Sequence, residues 1–431
     1  MQNTKPPSAI TSSSTLSQVI LFGMFVSVLL GNFLWKVSAS LYAPFDLISK
    51  LFPIIALALL FGFMRVRLNF YWWAAAVFYL LYLFYGVLIS YLNGKGVKLI
   101  LVQLYHEIKF FPLVALFGLC LGSERWIEVT RKIVVFITIF SLPLVALQLA
   151  VPGIYNAIFP DGGHINIGYL GPFIFQRAAG SFWHASYLVM FSTIAFVFVV
   201  ALFRRGVIKR PTPYLIALTI LLILTIQRFE WMLHFLVLIV LILRRYLDFD
   251  FRVYLTYLFA AIFLTFFFVV ISDSANYWSI YENFHNERTE FLFHAFWELD
   301  GSGYLGAGWG TIGSHTAKDI ADVYQYNEMK NLWWVQENKA YFYDTYWPHI
   351  IGETGIPGFV FLVLSMTMTL RALKSPEAVL ITFVFFLTSA LSSSTQDLMF
   401  LVFNGWFIFV LENLERFHSV KRTNLIGSKY L

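Results

Sequence analysis

Cysteine is almost missing from this sequence: Cys120 is the only one in 431 residues. With no partner, it excludes both a disulfide framework and a cysteine metal site. Charge is scarce as well. Asp, Glu, Lys and Arg make up 13% of the chain, against 59% hydrophobic and 19% aromatic residues. A single soluble core cannot hide that much apolar surface, so the chain reads as an integral membrane protein. The net charge of +6 would suggest an anionic partner in a soluble protein. Here most basic residues sit in short loops beside apolar runs, where they report topology, and no nucleic-acid partner is expected. There is no internal repeat, no separate soluble domain and no external cluster of close carboxylates to hold a metal. Neither metal nor cofactor is expected. Nor is a cleavable signal peptide evident, because the first apolar run follows a long Ser/Thr-rich lead and reads as a helix that stays.

What is present is a succession of apolar runs long enough to cross about 30 Å of hydrocarbon. They fall near 17–35, 48–64, 71–92, 100–121, 133–151, 180–203, 253–272, 350–370, 377–393 and 398–412. The stretch 213–243 is too long for one span and is interrupted by Gln227, Arg228, Phe229 and Glu230, so it reads as two short helices meeting at a polar tip. The expected fold is therefore all-α, a polytopic bundle of about 12 spans. Nineteen of the 30 basic residues, among them Arg65, Arg125, Arg204, Arg205, Arg244, Arg252 and Arg371, fall on one side when alternate loops are assigned to opposite sides. That side reads as cytoplasmic, with both termini on it. The expected organisation is a disordered cytoplasmic N-terminus over 1–16, a first transmembrane part over 17–273, and an external (periplasmic) loop over 274–349 between spans 9 and 10. A last transmembrane part covers 350–412 and a cytoplasmic tail 413–431.

Only three arginines lie on the external side: Arg177, Arg228 and Arg288. Arginine offers a planar fork of donors suited to two phosphate oxygens and stays charged at any accessible pH. Three converging on one place would make a diphosphate site. For each alone, an interfacial salt bridge or a snorkelling side chain is the plainer reading. His184, one turn inside the sixth span, is either a neighbour of that site or a packing residue. The external loop carries the glycines Gly301, Gly303, Gly306, Gly308, Gly310 and Gly313 without any βαβ unit around them, so nucleotide binding is rejected. The expected use of these glycines is close backbone approach to a sugar or to the membrane surface. Trp333, Trp334, Tyr343 and Trp347 lie just before the tenth span. They suit stacking on sugar rings and suit an interfacial belt equally.

The run from Arg288 through the glycines to Tyr343-Asp344-Thr345 and Glu353-Thr-Gly-Ile-Pro-Gly358 resembles the bacterial O-antigen ligase and O-antigen (exopolysaccharide) polymerase family of membrane glycosyltransferases. So does Arg177-Ala-Ala-Gly180-Ser-Phe-Trp before a helix. At the Arg228 motif the arginine matches but its neighbours, Gln227 and Phe229, depart from the family pattern. The resemblance covers about 165–415. It implies joining of oligosaccharide repeat units carried on undecaprenyl diphosphate in the bacterial inner membrane, with a chain-length regulator and a flippase as partners. Arg177, Arg228 and Arg288 would hold the diphosphate. Family ligases carry a histidine nine residues before the motif glutamate, and here that position is Asp344, which looks more like the polymerase branch. Asp344 or, five residues on, His349 would take the proton of the attacking hydroxyl. An N-cap for Asp344 and an interfacial structural role for His349 stand beside those readings. A ligase acting on lipid A core or protein is one alternative. A transporter or flippase is another, and it predicts ionisable residues inside the spans; the sequence reading gathers them at the external ends instead.

Overall fold

The computed structural model describes residues 15–63, 69–160, 167–170, 173–225, 228–246, 250–272, 287–314, 316–317, 346–389 and 397–427. It is a bundle of α-helices. Among the described residues eight segments are long and apolar enough to cross a membrane: Thr15–Val37, Ala39–Leu60, Phe70–Leu92, Val97–Leu119, Arg125–Ala150, Ala185–Arg204, Tyr346–Ala372 and Leu398–Ser419. Four apolar stretches are shorter: Thr212–Leu224, Trp231–Arg244, Phe251–Phe263 and Pro376–Thr388. Helix is what such sequence must form in lipid, where every backbone N–H and C=O has to be satisfied within the segment.

In chain order the helices are α1 (Thr15–Val37), α2 (Ala39–Ser49), α3 (Phe52–Phe63), α4 (Phe70–Leu92), α5 (Val97–Glu107), α6 (Phe110–Leu119), α7 (Arg125–Ala150) and α8 (Pro152–Ile158). They continue with α9 (Ala185–Arg204), α10 (Thr212–Leu224), α11 (Arg228–Tyr246), α12 (Phe251–Ser272), α13 (Glu287–Gly301), α14 (Tyr346–Ala372), α15 (Pro376–Thr388) and α16 (Leu398–Gly427). Side chains cap several starts: Asn69 Oδ1 accepts from Trp72 N at 2.9 Å before α4, and Ser375 accepts from Ala378 N before α15, each satisfying one orphan donor of a first turn. Prolines place two breaks. Pro112 has no N–H for the Ile108 carbonyl, and the ladder lapses at Ile108–Lys109 between α5 and α6. Pro357 likewise cannot donate to the Glu353 carbonyl, and α14 is kinked at Gly355, whose φ is 60°.

Two helices organise the packing. α14 lies along α4 and also meets α13 and α12, while α16 packs on α6, α1, α15 and α9. Aromatic rings fill the second of these cores, with Trp406 stacked on Phe25 at 5.0 Å and edge-on to Trp126 at 5.7 Å. At the ends where α9 and α11 finish and α15 begins, Glu377 is buried between Arg205 at 2.8 Å, Arg244, and Arg204 at 4.0 Å. Arg205 also reaches Glu415. Part of the basic excess that the sequence assigns to one face is thus neutralised in an ion-pair knot.

Three features depart from the sequence reading. A two-stranded antiparallel hairpin, β1 (Ile167–Leu170) with β2 (Phe173–Gln176), interrupts the otherwise helical fold just before Arg177. α1 begins at Thr15, inside the expected disordered lead, and α16 runs on as helix to Gly427, well into the expected tail. Most of the expected external loop, including Asp344, Trp333, Trp334 and Tyr343, lies outside the described residues.

Candidate functional site

Arg177 stands at the end of β2, on a turn with no helix or strand ladder of its own. Its backbone groups are satisfied from outside: Ala178 N donates to Leu224 O of α10 at 3.2 Å. Gln148 of α7 donates to Arg177 O at 2.9 Å and accepts from Ala179 N at 2.9 Å. Asn32 of α1 accepts from Trp183 N at 2.8 Å. Gly180, at φ +57°, has the Cβ of Ser141 3.2 Å from where its own would be. A side chain there would meet both the strain of the left-handed region and α7. The turn ends at His184, which caps α9 by accepting from Ser186 N at 3.2 Å. Burial, reinforced by the Arg177 guanidinium, pulls the His184 imidazole down to about 4, so it is neutral at pH 7.

The Ala178–Leu224 hydrogen bond sets the turn against the end of α10, four residues before Arg228 opens α11. Two of the three predicted arginine segments are therefore brought together. Arg288 is in the first turn of α13, which packs on α14. For Arg228 and Arg288 the backbone alone is described.

A second polar centre lies inside the bundle, where the sequence reading expected none. Glu107, at the last turn of α5, is buried, and its carboxylate is saturated. Oε1 accepts from Gln103 Nε2 at 2.8 Å and from His349 Nε2 at 3.1 Å. Oε2 accepts from Tyr82 Oη at 2.8 Å and Tyr346 Oη at 3.3 Å. The Glu107 carbonyl accepts from Tyr79 Oη. Burying a carboxylate is tolerable when its lone pairs are all used in this way. His349 is 1% exposed and lies edge-on to Tyr346; in this structure it joins α14 to α5 and presents no nitrogen to solvent. Trp347, proposed as a sugar platform, is buried against Phe263 and Phe359, with ring centroids at 4.4 and 5.6 Å, and offers no free face.

Gly306 and Gly308 of the glycine run meet the protein's own backbone, whereas Gly301 and Gly303 have open space around them. At the α14 kink the carbonyls that Ile356 and Pro357 leave open are taken over. Gly352 O accepts from Ala307 N and Glu353 O from Gly308 N, both at 2.9 Å, and Ile356 N donates to Tyr304 O at 3.0 Å. Gly306 and Gly355 pass so closely that a Cβ on either would lie 2.4–2.6 Å from backbone of the other strand of chain. The joint is tied to α4 by Trp309 N donating to Ser90 Oγ at 2.7 Å. Below it, Glu353 Oε1 accepts from Ile312 N at 2.9 Å and Ser314 Oγ at 2.7 Å, and Thr316 reaches Gln103 at 3.1 Å, linking the joint to the Glu107 centre.

Compared with protein-family models, with curated protein sequences and with solved structures, the chain matches none of them. Its function must be argued from this geometry. Among the described residues no group of three or more His, Cys, Asp or Glu is placed to hold a metal ion. The sequence reading missed Glu107; a lone acid four residues after a glutamine in an apolar run was the available signal, since an intramembrane carboxylate is rare without a purpose.

Proposed function

We propose that the chain is a polysaccharide polymerase of a bacterial inner membrane, crossing it about twelve times with both termini in the cytoplasm and the segment before α14 outside. Eight long apolar segments together with four shorter ones support that count. Its substrates are oligosaccharide repeat units on undecaprenyl diphosphate. A hydroxyl of one lipid-linked unit attacks the anomeric carbon of another chain. The bond from that carbon to the diphosphate breaks, the hydroxyl proton passes to Asp344, and undecaprenyl diphosphate leaves. Arg177, Arg228 and Arg288 neutralise the charge that develops on the leaving group, the role expected of fixed cations in a water-poor site.

One observation carries this reading: the clamped turn that sets Arg177 at the mouth of α9 against the end of α10, next to the segment that begins with Arg228. Arginines converging where apolar helices end suit a ligand with a diphosphate head and a long hydrocarbon tail. Replacing Arg177, Arg228 or Arg288 by Ala should abolish polymer while leaving the protein in the membrane, and Lys should rescue poorly because it lacks the bidentate fork. Normal polymer from two of the three Ala variants would refute the diphosphate site.

A second reading has its own support. Glu107, His349 and Glu353 are ionisable residues buried within membrane-length helices, as a transporter or flippase of lipid-linked sugars would have. The two are separated by product: a flippase relocates the lipid-linked unit and forms no glycosidic bond. The ligase alternative differs from the polymerase only in the acceptor, lipid A core or protein.

A further inference from the structure

Lys36, the penultimate residue of α1, is fully buried. Its ammonium donates to the Gly180 carbonyl and, at 3.0 Å, to the Phe182 carbonyl. It also lies over the rings of Tyr155 at 4.6 Å and Phe159 at 5.0 Å. Its neighbours are thus two carbonyl oxygens and two aromatic faces, and among the described residues no Asp or Glu pairs with it. Two carbonyl acceptors and two ring faces fix the position of the Lys36 head group. A lysine buried without a carboxylate is costly, and such a residue persists where the surroundings make use of it.

What Lys36 holds is the Arg177 turn. Gln148, Asn32, Leu224, Tyr155 and Ser141 also tie that turn, through neutral groups. Lys36 reaches the carbonyls three and five residues after Arg177. We infer that Lys36 is a positioning residue of the anion site at Arg177: its two hydrogen bonds fix the turn that presents the guanidinium to a diphosphate. The inference rests on the lipid-diphosphate reading and extends it to a lysine on α1 that touches no substrate.

The test is binding of undecaprenyl diphosphate to the purified full-length chain in detergent, followed by thermophoresis, with no turnover involved. Lys36→Met keeps the apolar stem and removes the donors to both carbonyls. It should weaken binding about tenfold, the scale of the hydrogen bonds lost from the turn. Lys36→Arg, which keeps donors for both carbonyls, should recover most of the affinity, a rescue that a merely space-filling role would not give. Should Lys36→Met fail to accumulate, Phe159→Leu removes one of the rings that hold Nζ over the turn and should weaken binding about threefold. Arg177→Ala is the control. If Arg177→Ala loses binding while Lys36→Met and Phe159→Leu keep wild-type affinity, the role of Lys36 is refuted and the diphosphate site stands. If wild type does not bind, or Arg177→Ala binds as wild type does, the diphosphate reading itself fails and takes the inference with it.

Discussion

Replacing Glu107 with Ala should be among the most damaging single changes in the molecule. The carboxylate accepts from Gln103, His349, Tyr82 and Tyr346 at 2.8 to 3.3 Å, and both Glu107 and His349 are buried. Removing it leaves four donors without their acceptor. An orphaned buried donor costs about 1–3 kcal/mol, so even the low end sums to about 4 kcal/mol. That is a large part of the 5–15 kcal/mol that separates a typical native state from its unfolded one. The assay is thermal melting of detergent-purified protein, run as a double-mutant cycle with His349→Ala. Glu107→Ala should melt several degrees lower than wild type, and the pair should couple by about 0.5–3 kcal/mol, the range for residues in direct contact. A Glu107→Ala protein melting with wild type, or additive behaviour of the two changes, would refute the picture of a hub joining α5 to α14.

Other outcomes follow from the same structure. Gly355→Ala places a Cβ 2.4 Å from the Leu305 carbonyl carbon at φ +60°; it should separate the joint and lower the yield of folded protein, whereas Gly301→Ala, with open space around it, should do neither. Between about 4, where the folded His184 titrates, and its ordinary 6.5, the unfolded chain binds the extra proton. The contribution of His184 is therefore complete above pH 6.5 and is lost as pH falls toward 4. It amounts to at most about 3 kcal/mol, less in practice because the ring is partly exposed. The melting difference between wild type and His184→Asn should accordingly shrink from pH 7.5 to about pH 5. Asp344→Asn should cut turnover about a hundredfold, the usual share of a general base, while leaving the protein as stable as wild type. His349→Gln should act mainly by lowering stability, and a fully stable but inactive His349→Gln would return the base to the histidine.

The helical bundle was legible because each span is a local statement: an apolar run of sufficient length must be helix in lipid. The break at Arg228 was also written locally, in polar residues; the kink at Gly355 was not read from the sequence, although Pro357 marks its place. What escaped the sequence is long-range. Nothing near Glu107 says that its partner is His349, 242 positions on, and an aromatic such as Trp347 has the same composition in a belt, a sugar platform or a core. Gly306 and Gly308 are closely approached by backbone of α14 and α4, surfaces that no local pattern names because they depend on how α4, α13 and α14 pack. Arg177 was visible as one of three arginines outside the expected cytoplasmic loops, whereas the clamp that holds its turn comes from α1, α7 and α10, each distant in sequence.

The central claim is tested most directly by reconstitution of the purified chain in proteoliposomes with one defined undecaprenyl-diphosphate-linked repeat unit, its products resolved by length on a gel. The account predicts a ladder of lengthening lipid-linked glycans with release of undecaprenyl diphosphate, and no ladder from Arg177→Ala protein of wild-type stability. Transfer of the repeat unit across the bilayer without any lengthening would contradict it.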